Sequence, residues 1–180
     1  MILLISICEN ELHELEFVKP IADILRKKDV KFRIGHYKKL KQNDLKEAKK
    51  VIICGTSLQD NEFLNNIGKF SWIKTFNKPL LGICGGMEII GLNYRCTLAK
   101  KRQIGIIKMT LKQDFLGLKR RTIIDGYNLH GLYLIINKRD FESIAYNRCP
   151  QIIVHRKKPF YGLMFHPEVR NKEIIERFVK

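Results

Sequence analysis

The chain has 180 residues, 45% of them hydrophobic, which is one domain's worth of sequence with enough apolar mass for a core. Thirty-four Lys and Arg against eighteen Asp and Glu leave a formal charge of +16 and a pI near 9.8. The five cysteines (Cys8, Cys54, Cys84, Cys96, Cys149) are odd in number and scattered, without a Cys-x-x-Cys pair, which argues against a disulfide framework or zinc site and for a reducing, cytoplasmic compartment. No apolar run approaches the ~20 residues of a membrane helix.

Ile2 to Ile7 is a continuous apolar run, as expected of a strand buried on both faces, and Glu9 and Glu11 follow at once, so it reads as a first strand and not a signal peptide. Phe17, Ile21, Ile24 and Leu25 recur at helical spacing, with Pro20 in the first turn. Phe32 to Tyr37 predicts a second strand, Leu40 to Lys49 a short basic helix, Val51 to Cys54 a third strand, and Phe63 to Phe76 a helical region closed by Pro79. Leu80 to Ile83 is a fourth strand. The alternation predicts a parallel sheet covered by helices, with its chemistry at the C-terminal edge. Beyond residue 90 the pattern changes to short strands at Ile104 to Leu111, Thr122 to Ile124, Leu132 to Ile136, Ser143 to Tyr146 and Gln151 to Val154, which reads as antiparallel structure returning to the sheet. Phe160 to Phe165 is a last strand, and Ile174, Ile175 and Phe178 mark a terminal helix. There are no repeats, linkers or low-complexity segments, so residues 1 to 180 are expected to form a single domain.

Two segments carry chemistry. Residues 80 to 90, Leu-Leu-Gly-Ile-Cys-Gly-Gly-Met-Glu-Ile-Ile, run a buried strand into a cysteine boxed by glycines and then into a helix. That is the build of a nucleophile elbow: Gly82, Gly85 and Gly86 permit close approach, and Cys84 stands at a helix N-terminus, which favours a thiolate. Near the other end, Phe165-His166-Pro167-Glu168 supplies a base and, two residues on, a carboxylate that can orient it. A lone Cys or His is more often structural than catalytic. The ordered pair of motifs is much harder to obtain by accident.

Together, Gly82-Ile83-Cys84-Gly85-Gly86-Met87-Glu88 and Phe165-His166-Pro167-Glu168-Val169 resemble the signatures of the class I (triad-type) glutamine amidotransferases, Gly-x-Cys-x-Gly-x-Gln and Gln-Phe-His-Pro-Glu. The resemblance runs along the whole chain. It implies a flavodoxin-like α/β fold, a mostly parallel open sheet flanked by helices with an antiparallel portion in the C-terminal half. It implies Cys84 as nucleophile, His166 as general base and acid, and Glu168 as the residue that orients His166. Glutamine would be hydrolysed to glutamate through a cysteine thioester, and the ammonia passed to an ATP-dependent synthetase subunit; by analogy with small separate amidotransferase chains, that partner is a GMP synthetase subunit.

Departures from the pattern bear on the substrate pocket. Glu88 and Met164 stand where the family has Gln, and an ionised Glu88 would oppose thiolate formation. Cys54-Gly55-Thr56 replaces the family's Gly-Gly segment, leaving Gly55 with Gly85 as oxyanion-hole donors and Thr56 near the substrate. Asn128-Leu129-His130-Gly131 resembles the family's Ser-His-Gly-Asp turn, which makes His130 a candidate substrate contact; His13, His36 and His155 read as surface or structural residues. No phosphate-binding loop, dinucleotide fingerprint or metal-binding motif is present, so no cofactor is expected on this chain. The basic clusters, Lys100-Lys101-Arg102 and Lys119-Arg120-Arg121 among them, fall mostly at predicted turns without a nucleic-acid motif; a solvated surface is favoured over nucleic-acid binding, with a basic docking face as the alternative. Two other functions stay open: a catalytically impaired or regulatory binding relative, and a γ-glutamyl cysteine hydrolase of the same fold.

Overall fold

The computed structural model describes residues 1–180. Seven strands form one sheet in the order β2-β1-β3-β4-β9-β8-β7, with β1 Ile2–Ser6, β2 Phe32–His36, β3 Lys50–Ile53, β4 Leu80–Ile83, β7 Phe141–Asn147, β8 Cys149–His155 and β9 Phe160–Leu163. The first five in that order run parallel, and β8 and β7 extend the sheet antiparallel. The apolar run at the N-terminus is explained by its two faces: Leu4 packs into one core layer with Ile21 and Leu25 of helix α2 (Lys19–Lys27), while Leu3 and Ile5 pack into the other with Phe70 and Ile89. Pro20 sits at the start of α2, where its missing N–H costs nothing.

Ahead of α2 lies a single turn, α1 (Glu14–Phe17), and the helix expected as basic, α3, is shorter than expected, Gln42–Glu47, which leaves the flanking lysines outside it. The helical region expected from Phe63 to Phe76 is a turn of α-helix, α4 (Glu62–Asn65), followed by a 3₁₀ segment, Ile67–Lys74. Its anchors Phe63, Phe70 and Ile73 are buried at a spacing that a continuous helix would also place on one face, so the apolar pattern does not reveal the tighter 3₁₀ winding. The terminal helix, α6 (Lys172–Val179), buries Ile174, Ile175 and Phe178 as the pattern predicted.

The C-terminal half differs most from expectation. Thr122–Ile124 and Leu132–Ile136 are not two strands but the ends of one, β6 (Ile123–Ile135), which pairs antiparallel with β5 (Thr97–Thr110) in a separate two-stranded sheet. The Asn128–Gly131 segment expected as a turn lies within β6. Its alternate residues Asn128 and His130 face inward, and pairing with Gly105 and Gln103 keeps the backbone extended where local composition suggested a break.

Helix α5 (Gly85–Asn93) lies directly on the sheet. A Cβ on Gly82 would stand 2.4 Å from the Gly86 carbonyl, and one on Gly86 would stand 2.3 Å from the carbonyl oxygen of Ile53 in β3. Neither backbone can yield without moving a strand. Gly86→Ala is therefore expected to cost about 3 kcal/mol, or roughly 10 °C in melting temperature. Gly68→Ala, where the added methyl meets nothing within 4 Å, should leave the melting temperature within about 2 °C. Equal shifts for the two variants would show that the helix is free to lift off the sheet.

Candidate functional site

The site lies at the C-terminal edge of the parallel strands, where β3, β4 and β9 end beside one another. Between β4 and α5 the chain must turn sharply, and Cys84 takes the strain with φ 49° and ψ −108°, outside the conformations open to most side-chain-bearing residues. Its backbone is held in place by an N–H donated to the carbonyl of Leu163 (2.7 Å) and by its own carbonyl, which accepts from Met87 and Glu88 in the first turn of α5. The sulfur is thereby lifted off the sheet, with its thiol directed at the Leu129 carbonyl of β6 (3.7 Å).

His166 follows β9 and is almost wholly buried, its ring 5.4 Å from that of Phe17 and its backbone N–H donated to Tyr127 of β6. Nδ1 meets Glu168 Oε1 at 2.7 Å, in a pair excluded from water. Burial works against a charge on the imidazole, but the Glu168 carboxylate and the nearby Cys84 sulfur outweigh it and hold His166 well above its ordinary range. Nε2 has no hydrogen-bond partner and is left as the unused nitrogen beside Cys84. Gly55 fits between the two side chains: a Cβ there would stand 2.6 Å from His166 Cε1 and 3.5 Å from Cys84 Cβ. The Gly55 N–H makes no hydrogen bond within the chain, and Gly85, as the first residue of α5, has no carbonyl one turn back to receive its N–H.

Cys84 and Gly85 open into a cavity of about 590 Å³ whose lining also includes Glu88, Thr56 and His130. The structure thus places the expected substrate residues on one cavity while changing what some of them offer. The Thr56 hydroxyl is donated to Asp60 (2.6 Å). His130 is buried, which lowers its pKa; Nε2 lies 3.2 Å from the Asn128 amide and Nδ1 is unpaired. Met164, where the family pattern has Gln, is packed in the core. Glu88 is buried in the cavity wall, and desolvation pushes its carboxyl up to about 7, so near neutral pH much of it is uncharged and its opposition to a thiolate is correspondingly reduced.

Three features were not legible in the sequence. Asp60 also accepts from Glu9 N–H and pairs with His13 (2.7 Å), and although it is partly desolvated, its bonds to Thr56 and His13 keep it below the usual carboxylate range. Lys100, Lys101 and Arg102 do not sit on a distant solvated turn: they lie at a bulge of β5 and line the cavity. Leu129 contributes through its backbone, for which no side-chain motif exists. No group of three or more His, Cys, Asp or Glu stands where it could hold a metal ion, and no helix is long and apolar enough to cross a membrane.

The state of Glu88 has a measurable stability consequence. Its carboxyl pKa rises on folding from an ordinary 4.5 to about 7, so the native state holds a proton that the unfolded chain releases between those values, and stability falls as pH rises through that window. Glu88→Gln should match the parent protein near pH 4 and exceed it by on the order of 3 kcal/mol at pH 8, read from denaturant midpoints at the two pH values. A gain independent of pH would mean that Glu88 is charged and solvated throughout.

The sequence matches the family described as glutamine amidotransferase class-I over residues 13–180. Among curated proteins it is similar to the GMP synthase [glutamine-hydrolyzing] of Photorhabdus laumondii, with 31% identity over 118 residues, which is 56% of this chain and 22% of that one. The corresponding enzyme of Yersinia enterocolitica is 26% identical over 125 residues, 60% of this chain and 24% of that one, so the chain spans about a quarter of the length of these relatives. In structure it superposes on a protein assigned as a GMP synthase component from Thermoplasma acidophilum with a TM-score of 0.86 at 22% identity, covering 99% of this chain and 91% of the other. A glutamine amidotransferase from Thermotoga maritima gives a TM-score of 0.71 at 17% identity, covering 99% and 80%. These two likenesses identify the flavodoxin-like fold, and the family match identifies the lineage: the chain is a member of the class I glutamine amidotransferases.

Proposed function

We propose that this chain hydrolyses glutamine through a Cys84 thioester and supplies the ammonia to a synthetase partner. The observation that carries the reading is the strained Cys84 facing a buried His166–Glu168 pair across Gly55, with Cys84 itself on the wall of the cavity. Cys84 Sγ, its proton already carried by His166 Nε2, attacks the side-chain amide carbon, while Glu168 holds the other ring nitrogen and balances the imidazolium. The Gly55 and Gly85 N–H groups receive the oxyanion of the tetrahedral intermediate. Its collapse breaks the C–N bond, His166 returns the proton to the departing nitrogen, and ammonia leaves. Water, deprotonated by His166, then cleaves the thioester to give glutamate and regenerate the Cys84 sulfur beside the protonated His166. In its neutral form Glu88 offers an O–H donor beside a carbonyl acceptor, one donor fewer than the carboxamide of the family residue it replaces. The ammonia acceptor is read by analogy with the glutamine-hydrolysing GMP synthases, less than a quarter of whose length matches this chain.

The test is ammonia release from glutamine by the purified chain, alone and with the partner that copurifies from its host. Cys84→Ala should abolish it, His166→Ala should lower the turnover rate by about 10³-fold or more, and Glu168→Ala should cost less. A diazoketone analogue of glutamine should alkylate Cys84 in preference to Cys8, Cys54, Cys96 and Cys149, whose thiols burial holds above their ordinary range. Retained hydrolysis in Cys84→Ala, or even labelling of all five cysteines, would refute the mechanism.

A further inference from the structure

Strand β6 borders two hollows in succession. Leu129 to Leu132 line the catalytic cavity, and Tyr133 to Ile136 line a second one of about 570 Å³ that shares no residue with it. The second is of a size typical of small-molecule sites. Its floor is apolar, with Leu134 and Phe141 both buried, and Tyr133 and Tyr146 bring two further rings to its lining. The Tyr146 hydroxyl is tethered to the Arg148 carbonyl (3.2 Å), which restrains a side chain that is otherwise exposed.

The charge on this cavity is unbalanced. Lys112, Lys138 and Arg156 stand on its lining against the single carboxylate of Glu142. The ammonium groups of Lys112 and Lys138 have neither ion pair nor hydrogen bond in the protein. Arg156 donates from Nε to the Lys138 carbonyl (3.0 Å) and meets Glu142 at 3.5 Å, an exposed contact of little strength. An excess of two positive charges therefore stands over an apolar, aromatic-lined concavity. Guanidinium and ammonium groups take phosphate oxygens, and tyrosine faces take a planar ring.

We propose that this second cavity binds a nucleoside 5′-monophosphate, its base against the tyrosine rings and its phosphate on Lys112, Lys138 and Arg156. The doubly charged phosphate matches the excess charge. A hollow of about 570 Å³ leaves room that inorganic phosphate alone would not fill.

Isothermal titration calorimetry of the whole chain tests the assignment, with AMP, GMP, UMP and CMP as probes and the parent nucleosides and inorganic phosphate as separate arms. At least one monophosphate should bind 1:1 with a Kd below about 1 mM, roughly tenfold or more tighter than its nucleoside and than phosphate. The exposed pair Lys112→Ala with Lys138→Ala should weaken that binding about tenfold, and Tyr146→Ala should weaken it while leaving the phosphate arm unchanged. Unaltered melting temperatures would show that these variants keep the fold. No saturable binding up to about 10 mM, binding equally tight for phosphate, or binding unchanged in the double variant would each overturn the proposal.

Discussion

The contact between helix α5 and the backbones of β3 and β4 governs the rest of the site. Gly82 and Gly86 remove the two side chains that would hold the helix away, and the helix comes down until carbonyl and Cα atoms touch. With both ends of the turn pinned, the residue between them has to absorb the change of direction, which is why Cys84 adopts a backbone conformation disfavoured for a side-chain-bearing residue. Strain of this kind persists only where the surroundings over-determine it. Here they do so through the packed glycines, the short bond from Cys84 N–H to β9, and the helical bonds accepted by the Cys84 carbonyl.

Electrostatics then separates the titratable groups that share the site. His166 and Glu168 are both removed from water, so neither is indifferent to the other's charge: the imidazolium is retained because the carboxylate is 2.7 Å away. Glu88 lies on the same helix as the nucleophile, one turn on, but has no cation against it, and burial acts on it alone. Two carboxylates on one chain thus differ in character because one is paired and the other is solitary. His130 is the mirror case among the imidazoles, buried beside an amide and carrying no carboxylate of its own.

Most of the architecture could be read from the chain because strands buried on both faces leave continuous apolar runs, and because a nucleophile elbow constrains residue type at nearly every position from Gly82 to Glu88. What escaped depends on partners distant in sequence. Thr56, Asp60 and His13 form a cluster only because two loops meet at the edge of the sheet. Gly126 and Asn128 resemble turn residues in isolation, yet the ladder with β5 holds them extended. The Lys100–Arg102 triplet has the composition of a solvated turn, and only the bulge in β5 directs it to the cavity. The charge of Glu88 depends on burial, which residue identity does not report.

The order of strands in the sheet also bears on how the protein acquires its activity. Cys84 is delivered by β4 and His166 by β9, neighbours in the sheet that are separated along the chain by α5, the β5–β6 pair and both antiparallel strands. Joining them closes the longest loop between adjacent strands of the main sheet, and that loss of chain entropy is offset only when β9 docks between β4 and β8. Contacts so distant in sequence form slowly compared with local helices and hairpins. The β1 to β4 half alone has neither the base nor the β9 carbonyl that receives the Cys84 N–H. Catalytic competence is consequently a property of the finished topology, acquired in the same event that places β9.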